Sequence, residues 1–115
     1  VGLVTVFLTG DVMTGRGIDQ VLAHPCDPTL YEPYVRDARV YVDLAERANG
    51  PIGRGLDADY IWGWMLTELD RAGPAARLVN LETSITADGV PWPDKTIHYR
   101  MHPDNVACLR VLRVD

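Results

Sequence analysis

Two cysteines, Cys26 and Cys108, are all that this 115-residue chain contains. They are too few for a disulfide framework, and their spacing makes no metal-binding pair, so they leave the redox compartment open. No basic run exists: lysine occurs once, as Lys95, and the net charge is -5. A chain of that sign has nothing with which to release counterions from a nucleic-acid backbone, and it is equally unsuited to an anionic membrane surface. The expectation is therefore no nucleic-acid partner, although local arginines can still grip an anion. No apolar run approaches the length of a bilayer-crossing helix, and no signal peptide precedes Val1. There is no internal repeat and no low-complexity tract, which sets aside repeat architectures and tails of biased composition.

What is present describes an ordinary globular chain, 47% hydrophobic and 23% charged, enough for one small core. Arginine outnumbers lysine ten to one. That ratio reads chiefly as the signature of a GC-rich genome, although arginine is also the better bidentate partner for carboxylate or phosphate. The chain opens at Val1 without an initiator Met, and Leu112-Arg113-Val114-Asp115 reads as the approach to a further strand. The expectation is that residues 1–115 are the amino-terminal part of a single domain continuing beyond Asp115. A truncated start would void any inference about secretion from the missing signal peptide.

An apolar run, Leu3 to Thr9, leads into Gly10-Asp11-Val12-Met13-Thr14-Gly15-Arg16-Gly17. Apolar residues of both parities predict a strand covered on both faces, as in the middle of a parallel sheet. Open α/β sheets bind ligands past the carboxyl ends of such strands, so Asp11 stands where a metal or phosphate site is expected. Ile18, Val21 and Leu22 predict a short helix stopping near His24-Pro25, and Pro25 to Pro33 reads as loop. Tyr41, Leu44, Ala45 and Ala48 form the stripe of a second helix, with Asp43 and Arg47 spaced to pair and Asn49-Gly50-Pro51 as its stop. Asp59 is placed to cap a third helix with the stripe Ile61, Met65, Leu69 and Ala72, ended by Gly73-Pro74. Arg77 to Glu82 reads as a strand, Asp88-Gly89 as a turn, Pro91 to Asp94 as a rigid loop and Thr96 to Arg100 as a short strand. Pro103 suits the first turn of a last helix carrying Val106, Leu109 and Leu112.

Asn80 and Glu82, two apart on an extended segment, project to one face while Leu81 faces the other. Strands entering one sheet edge can bring Asp11, Asn80 and Glu82 together as oxygen ligands of a water-activating divalent cation. In the local alternative, Asp11 caps the following helix while Asn80 and Glu82 make turn hydrogen bonds; the residues alone leave both open. Arg16, in the glycine-flanked loop, suits a substrate carboxylate or phosphate as well as it suits plain surface exposure. His98 and His102 lie four apart on a strand-to-turn segment, where that spacing does not ensure a shared metal. His24 and Cys26 lack partners at ligand spacing. Trp62 and Trp64 fall on different helix faces, so one belongs in the core. Trp92, between prolines, is the exposed aromatic, suited to loop packing or to lining a groove. Gly53-Arg54-Gly55 lacks the lysine and hydroxyl of a phosphate loop.

Three separated segments, Gly10 to Gly17, Val79-Asn80-Leu81-Glu82-Thr83-Ser84 and Lys95 to Pro103, resemble in order and spacing the amino-terminal part of the CapA family, the poly-γ-glutamate capsule-synthesis proteins. The resemblance runs over nearly the whole chain. It implies an α/β fold, a partial metallophosphoesterase-like αββα sandwich with incomplete sheets, and a metal-dependent hydrolase ancestry that does not by itself fix the reaction. It implies metal ligation by Asp11, Asn80 and Glu82, with manganese or magnesium as the expected divalent metal. It also implies anion contact by Arg100, at the family's basic position before the proline, with a structural salt bridge as the alternative use. One departure is plain: the histidine usual two residues after the first aspartate is Met13 here, and a thioether is a poor ligand for hard cations. The family's later asparagine-asparagine-histidine segment is expected after Asp115. The resemblance further implies a cell-envelope protein that handles an anionic polymer or small anionic substrate alongside membrane-associated capsule machinery. Three functions fit: a metal-dependent hydrolase, a non-catalytic polymer binder using the inherited cleft, and a phosphodiesterase acting on a small phosphoester.

Overall fold

The computed structural model describes residues 2–115. β1 (Val6–Val12) pairs in parallel with β2 (Ala76–Leu81), and β3 (Ser84–Ile85) pairs in parallel with β4 (Arg100–Met101). Among the described residues these form two separate two-stranded ladders. They are accompanied by α1 (Arg16–Val21), α2 (Arg39–Asn49), α3 (Met65–Ala72) and α4 (Ala107–Leu112). The expected α/β class, with parallel pairing and incomplete sheets, is the one observed.

β1 departs from the sequence expectation at its start and on one face. Leu3 and Val4 are exposed, because the ladder runs back only as far as Thr5, whose carbonyl accepts the Ala75 N–H at 2.8 Å. Leu8 is 67% exposed, while Phe7 shares a shallow groove with Met65 and Leu69 of α3. Apolar residues of both parities report what a strand's two faces can accept; among the described residues only one face of β1 is shielded.

α1 stops before His24-Pro25 and α2 stops at Gly50, as predicted. The buried side of α2 differs from the stripe. Ala38 and Val42 are buried and Leu44 is exposed, because α1 meets α2 at Tyr41 and Val42 and burial follows that contact. Asp43 and Arg47 make no ion pair among the described residues. α2 begins beside Asp37, whose Oδ1 accepts the Arg39 N–H at 2.9 Å, and the Arg39 side chain and backbone bonds lower the Asp37 pKa to about 2.

The third helix is broken where the periodicity predicts continuity. Tyr60–Trp62 forms a short 3-10 helix, Gly63 takes φ +52°, and α3 begins only at Met65. A left-handed backbone conformation cannot continue a right-handed helix, and glycine adopts it without a Cβ clash. Asp59 makes no side-chain cap. The predicted strand over Thr96 to Arg100 shrinks to its end, since pairing with β3 starts where the Ser84 N–H donates to the Tyr99 carbonyl at 3.0 Å. Pro103 opens a 3-10 turn, Pro103–Val106, that runs into α4.

The core lies where α1, β4 and α4 meet. Leu22, Met101, Cys108 and Leu109 are buried together, with Ile18, Ile61, Trp62 and Leu81 against them. Thr14 Oγ1 donates to Met101 Sδ at 2.9 Å and the Trp62 indole N–H donates to the Cys108 carbonyl at 2.7 Å, so the polar atoms that enter the core are paired. Trp62 is the core tryptophan; Trp64 is exposed. Among the described residues no helix is long and apolar enough to cross a membrane.

Candidate functional site

A one-residue irregularity in β1 brings Asp11 beside Asn80. Leu8 stands next to Leu78, yet Asp11 rather than Gly10 stands next to Asn80, so β1 uses one extra residue between the two pairings, as a bulge does. Without it, the one-residue alternation of a strand would turn Asp11 to the other face. With it, Asn80 Nδ2 donates to Asp11 Oδ1 at 2.6 Å, and both residues are exposed. Asp11 does not cap α1; the capping position is Gly15, which offers no side chain.

Glu82 follows the end of β2, where its N–H donates to the Val12 carbonyl at 3.0 Å. It lines a separate groove of about 380 Å³ together with Ser84, Lys95 and Tyr99, a groove to which neither Asp11 nor Asn80 contributes. Of the three expected ligands, Asp11 and Asn80 are in direct contact, and Glu82 keeps other neighbours. A carboxylate and an amide are oxygen donors of the kind magnesium and manganese take, but magnesium demands near-octahedral coordination. Asn80 turns its amide nitrogen toward Asp11, and Met13 adds no hard donor. Among the described residues no three His, Cys, Asp or Glu side chains are grouped to hold one ion. The residues present do not fit a complete metal centre, and no hydrolytic step follows from them.

Arg16 is engaged inside the fold. Its guanidinium pairs with Glu32, the two side chains being 14% and 0% exposed, and lies 5.0 Å from the Tyr41 ring centre and 4.4 Å from that of Tyr99. Tyr41 Oη donates to the second Glu32 oxygen at 3.0 Å. Burial pulls the Arg16 pKa down, but the Glu32 hydrogen bond and charge outweigh it and the net shift is upward. The Tyr41 phenol is pushed up by burial and by Glu32. The clamp joins the first residue of α1 to the loop before α2, to α2 itself and to the segment before β4.

Arg100 has no carboxylate partner among the described residues. Its Nη1 and Nη2 donate to the carbonyls of Ala87 and Asp27 at 3.4 Å each, beyond the usual range for such bonds. It lines a groove of about 220 Å³ with Lys95, His98, Tyr31 and Trp92, and Trp92 is 77% exposed. His98 Nε2 lies 3.2 Å from the Trp92 carbonyl, and its ring meets Tyr31 edge-on at 6.0 Å. Neither histidine of the His98/His102 pair joins a metal cluster among the described residues; His102 Nδ1 instead accepts the Asp104 N–H.

Two buried polar residues that shape this region carry no periodic signal in the sequence. Asp19, on α1, accepts the Cys26 N–H at 2.7 Å, the His102 N–H at 2.9 Å and Asn105 Nδ2 at 2.8 Å, tying the 24–26 loop and the turn after β4 to one helix. Arg77 donates to the Leu112 carbonyl at 2.9 Å and to Asp70 at 3.2 Å, tying β2 to α4 and α3. A lone acid in a short helix and a lone arginine in a strand read from sequence as ordinary solvated residues.

The chain matches over residues 5–115 a family described as bacterial capsule synthesis protein PGA_cap. Over 111 residues it is 53% identical to proteins named as probable polyglutamine synthesis accessory proteins in two strains of Mycobacterium tuberculosis, CDC 1551/Oshkosh and ATCC 25618/H37Rv. The matched stretch is 96% of this chain and 29% of each relative, so the chain spans less than a third of the length of the curated relatives it matches. No solved structure matches it.

Proposed function

This chain belongs to the bacterial capsule synthesis family PGA_cap, and from that premise we propose that the protein carrying it is an accessory factor in making or exporting a glutamate-derived polymer of the cell envelope. The observation that carries this reading is the family match across residues 5–115. Relatives named for polyglutamine synthesis point the same way. In this reading the residues hold the polymer rather than cut it. Lys95 and Arg100, cations without a carboxylate partner among the described residues, stand beside the exposed Trp92 in one groove. The partner is an anionic chain, and the place of action is the envelope, beside membrane-associated capsule machinery. Deleting the gene and restoring it on a plasmid tests the reading. Envelope polymer is expected to fall on deletion and return on complementation; an unchanged polymer in the deletion strain would defeat it.

A second reading, a metal-dependent hydrolase or a phosphodiesterase on a small phosphoester, draws on the register that sets Asp11 beside Asn80 at the ends of β1 and β2. These two residues would contribute part of a manganese or magnesium site, its other ligands coming from outside these residues. Calorimetric titration of the full-length protein with manganese separates the readings. Binding that is abolished by Asp11→Ala, together with turnover of chromogenic phosphoesters, favours the hydrolase. Polymer production that survives Asp11→Ala favours the binder.

A further inference from the structure

We propose that Asp88-Gly89, on the exposed loop after β3, is a site of spontaneous isoaspartate formation, whereas Asn49-Gly50, the faster pair by chemistry alone, is protected by its helix. This is a covalent change in the chain's own backbone, and it does not depend on which polymer the protein serves.

In aspartate and asparagine the side-chain carbonyl carbon sits one methylene from the backbone, within ring-closing reach of the next residue's amide nitrogen. A glycine in that next position removes the Cβ that shields the nitrogen and frees the backbone to turn. The chain holds one Asn-Gly pair, at 49–50, and one Asp-Gly pair, at 88–89. Asparagine reacts as its neutral amide and releases ammonia. Aspartate must first be protonated, so that its hydroxyl leaves as water. At neutral pH in an unfolded chain, asparagine is therefore the faster of the two.

The fold reverses that order. Asn49 is the last residue of α2. The Gly50 N–H donates to the Glu46 carbonyl at 2.8 Å, and Asn49 Nδ2 donates to the Ala45 carbonyl at 3.1 Å. Nitrogen and carboxamide are both turned back along the helix, so ring closure requires the last turn of α2 to open. Asp88 and Gly89 are exposed and lie outside every helix and strand. The Thr86 hydroxyl takes up the Asp88 backbone, accepting its N–H at 3.3 Å and donating to its carbonyl at 2.7 Å. Among the described residues neither the Asp88 carboxylate nor the Gly89 N–H has a hydrogen-bond partner. Gly89 takes φ +121° and no atom lies within 4 Å of its Cβ position, so the space beside the reacting pair is open.

In the closing step the Gly89 nitrogen forms a bond to Asp88 Cγ. The hydroxyl of the protonated carboxyl leaves as water, taking the proton that the nitrogen gives up. The product is a neutral five-membered succinimide. Water then adds to one of the two ring carbonyls, and the C–N bond at that carbonyl breaks. Addition at Cγ restores aspartate, while addition at the backbone carbonyl leaves the main chain running through the side-chain carboxyl. One water leaves and one returns, nothing is oxidised or reduced, and the charge of the chain is unchanged. What changes is geometry: the main chain gains one carbon, and the carboxylate that lines a groove with Lys95 and Arg100 is left on a shorter arm.

The test incubates the full-length protein in neutral buffer, folded in one arm and unfolded in urea in the other. Isoaspartate methyltransferase with methyl-labelled S-adenosylmethionine then marks each freed α-carboxylate, and peptide mapping locates the label. The folded protein is expected to accumulate label at position 88 and none at position 49. In urea the order should reverse, with most of the label at position 49. Asp88→Glu keeps the charge but needs a six-membered ring, so the label in that peptide should be lost. Thermal melts accompany both proteins, and the exposed Asp88 side chain has no packing to lose. No label at position 88 in the folded protein would overturn the proposal. So would label at position 49 appearing as fast as at 88 in the folded arm, or label in the 88 peptide that survives Asp88→Glu.

Discussion

Glu32 is a carboxylate with no solvent exposure, tolerable because Arg16 and the Tyr41 hydroxyl meet both of its oxygens. Removing one partner of a buried pair leaves the other charge desolvated and alone, at a cost of about 3–5 kcal/mol. Glu32→Gln is therefore expected to lower the unfolding free energy of the purified protein, read from urea titration, by an amount in that range. The paired replacement Arg16→Met with Glu32→Leu should recover much of the loss, since no charge is then stranded. Cys26 supplies a pH effect. Its thiol is pushed up to about 11 by burial and by the nearby Asp19 charge, from an ordinary value of 9.0. A raised folded-state pKa means the native form keeps its proton where the unfolded chain has lost it, so the contribution is whole below about 9 and disappears as pH rises toward about 11. Denaturant midpoints measured across that window should fall, and Cys26→Ala should flatten the slope, leaving the part due to Cys108, whose thiol burial also raises. Of the residues in the clamp, Arg16 reads in the sequence as a contact for a substrate anion or as a surface arginine, and the internal pairing with Glu32 is neither. Its anion, Glu32, was not legible, since a single acid in a proline-flanked loop has no spacing that marks it.

Among the elements, the contact between the start of α1 and β4 places Arg100, and Gly15 permits it. A Cβ on Gly15 would lie 2.7 Å from the Arg100 carbonyl oxygen, a backbone atom that cannot swing aside. Gly15→Ala is expected to destabilise the domain by about 1–3 kcal/mol, as overpacking does, and to loosen the β3–β4 ladder. Hydrogen exchange at the Thr86 N–H, which donates to the Met101 carbonyl at 3.1 Å, reads that loosening directly. Gly10→Ala is the matched control, because no atom lies within 4 Å of its Cβ position; a change beyond about 0.5 kcal/mol there would contradict the packing account. The strands β1 and β2 and the helix stops at His24-Pro25, Gly50 and Gly73 were all legible, since apolar runs and helix-ending residues act over a few neighbours. The break at Gly63 was missed: glycine inside a helical stripe costs little enough that periodicity alone passes over it.

At the scale of the whole chain, the radius of gyration is 15.8 Å, against about 13 Å for a compact domain of this length, and the extents are 53 × 34 × 23 Å. Leu8 and Leu78 are register partners on one face of the β1–β2 ladder, and both are exposed. Residues 1–115 expressed by themselves are therefore expected to associate, and Leu8→Lys with Leu78→Lys should reduce light scattering without loss of helical signal. Cooperative unfolding of an unsubstituted monomer would count against this. By itself the sequence determined the family, the α/β class and the order of β1, β2 and the helices, but not the two-residue strand β3, because the former are written in local spacing and in three motifs read along the chain. Only the tertiary structure decided that Asp11 meets Asn80 across 69 positions, that Glu82 turns to a different groove, and that Arg16 is taken by Glu32 while Arg100 keeps no acid partner. Such contacts hang on a single extra residue in a strand and on which helix packs where. Register and packing are settled by the summed fit of distant segments, which no local pattern carries.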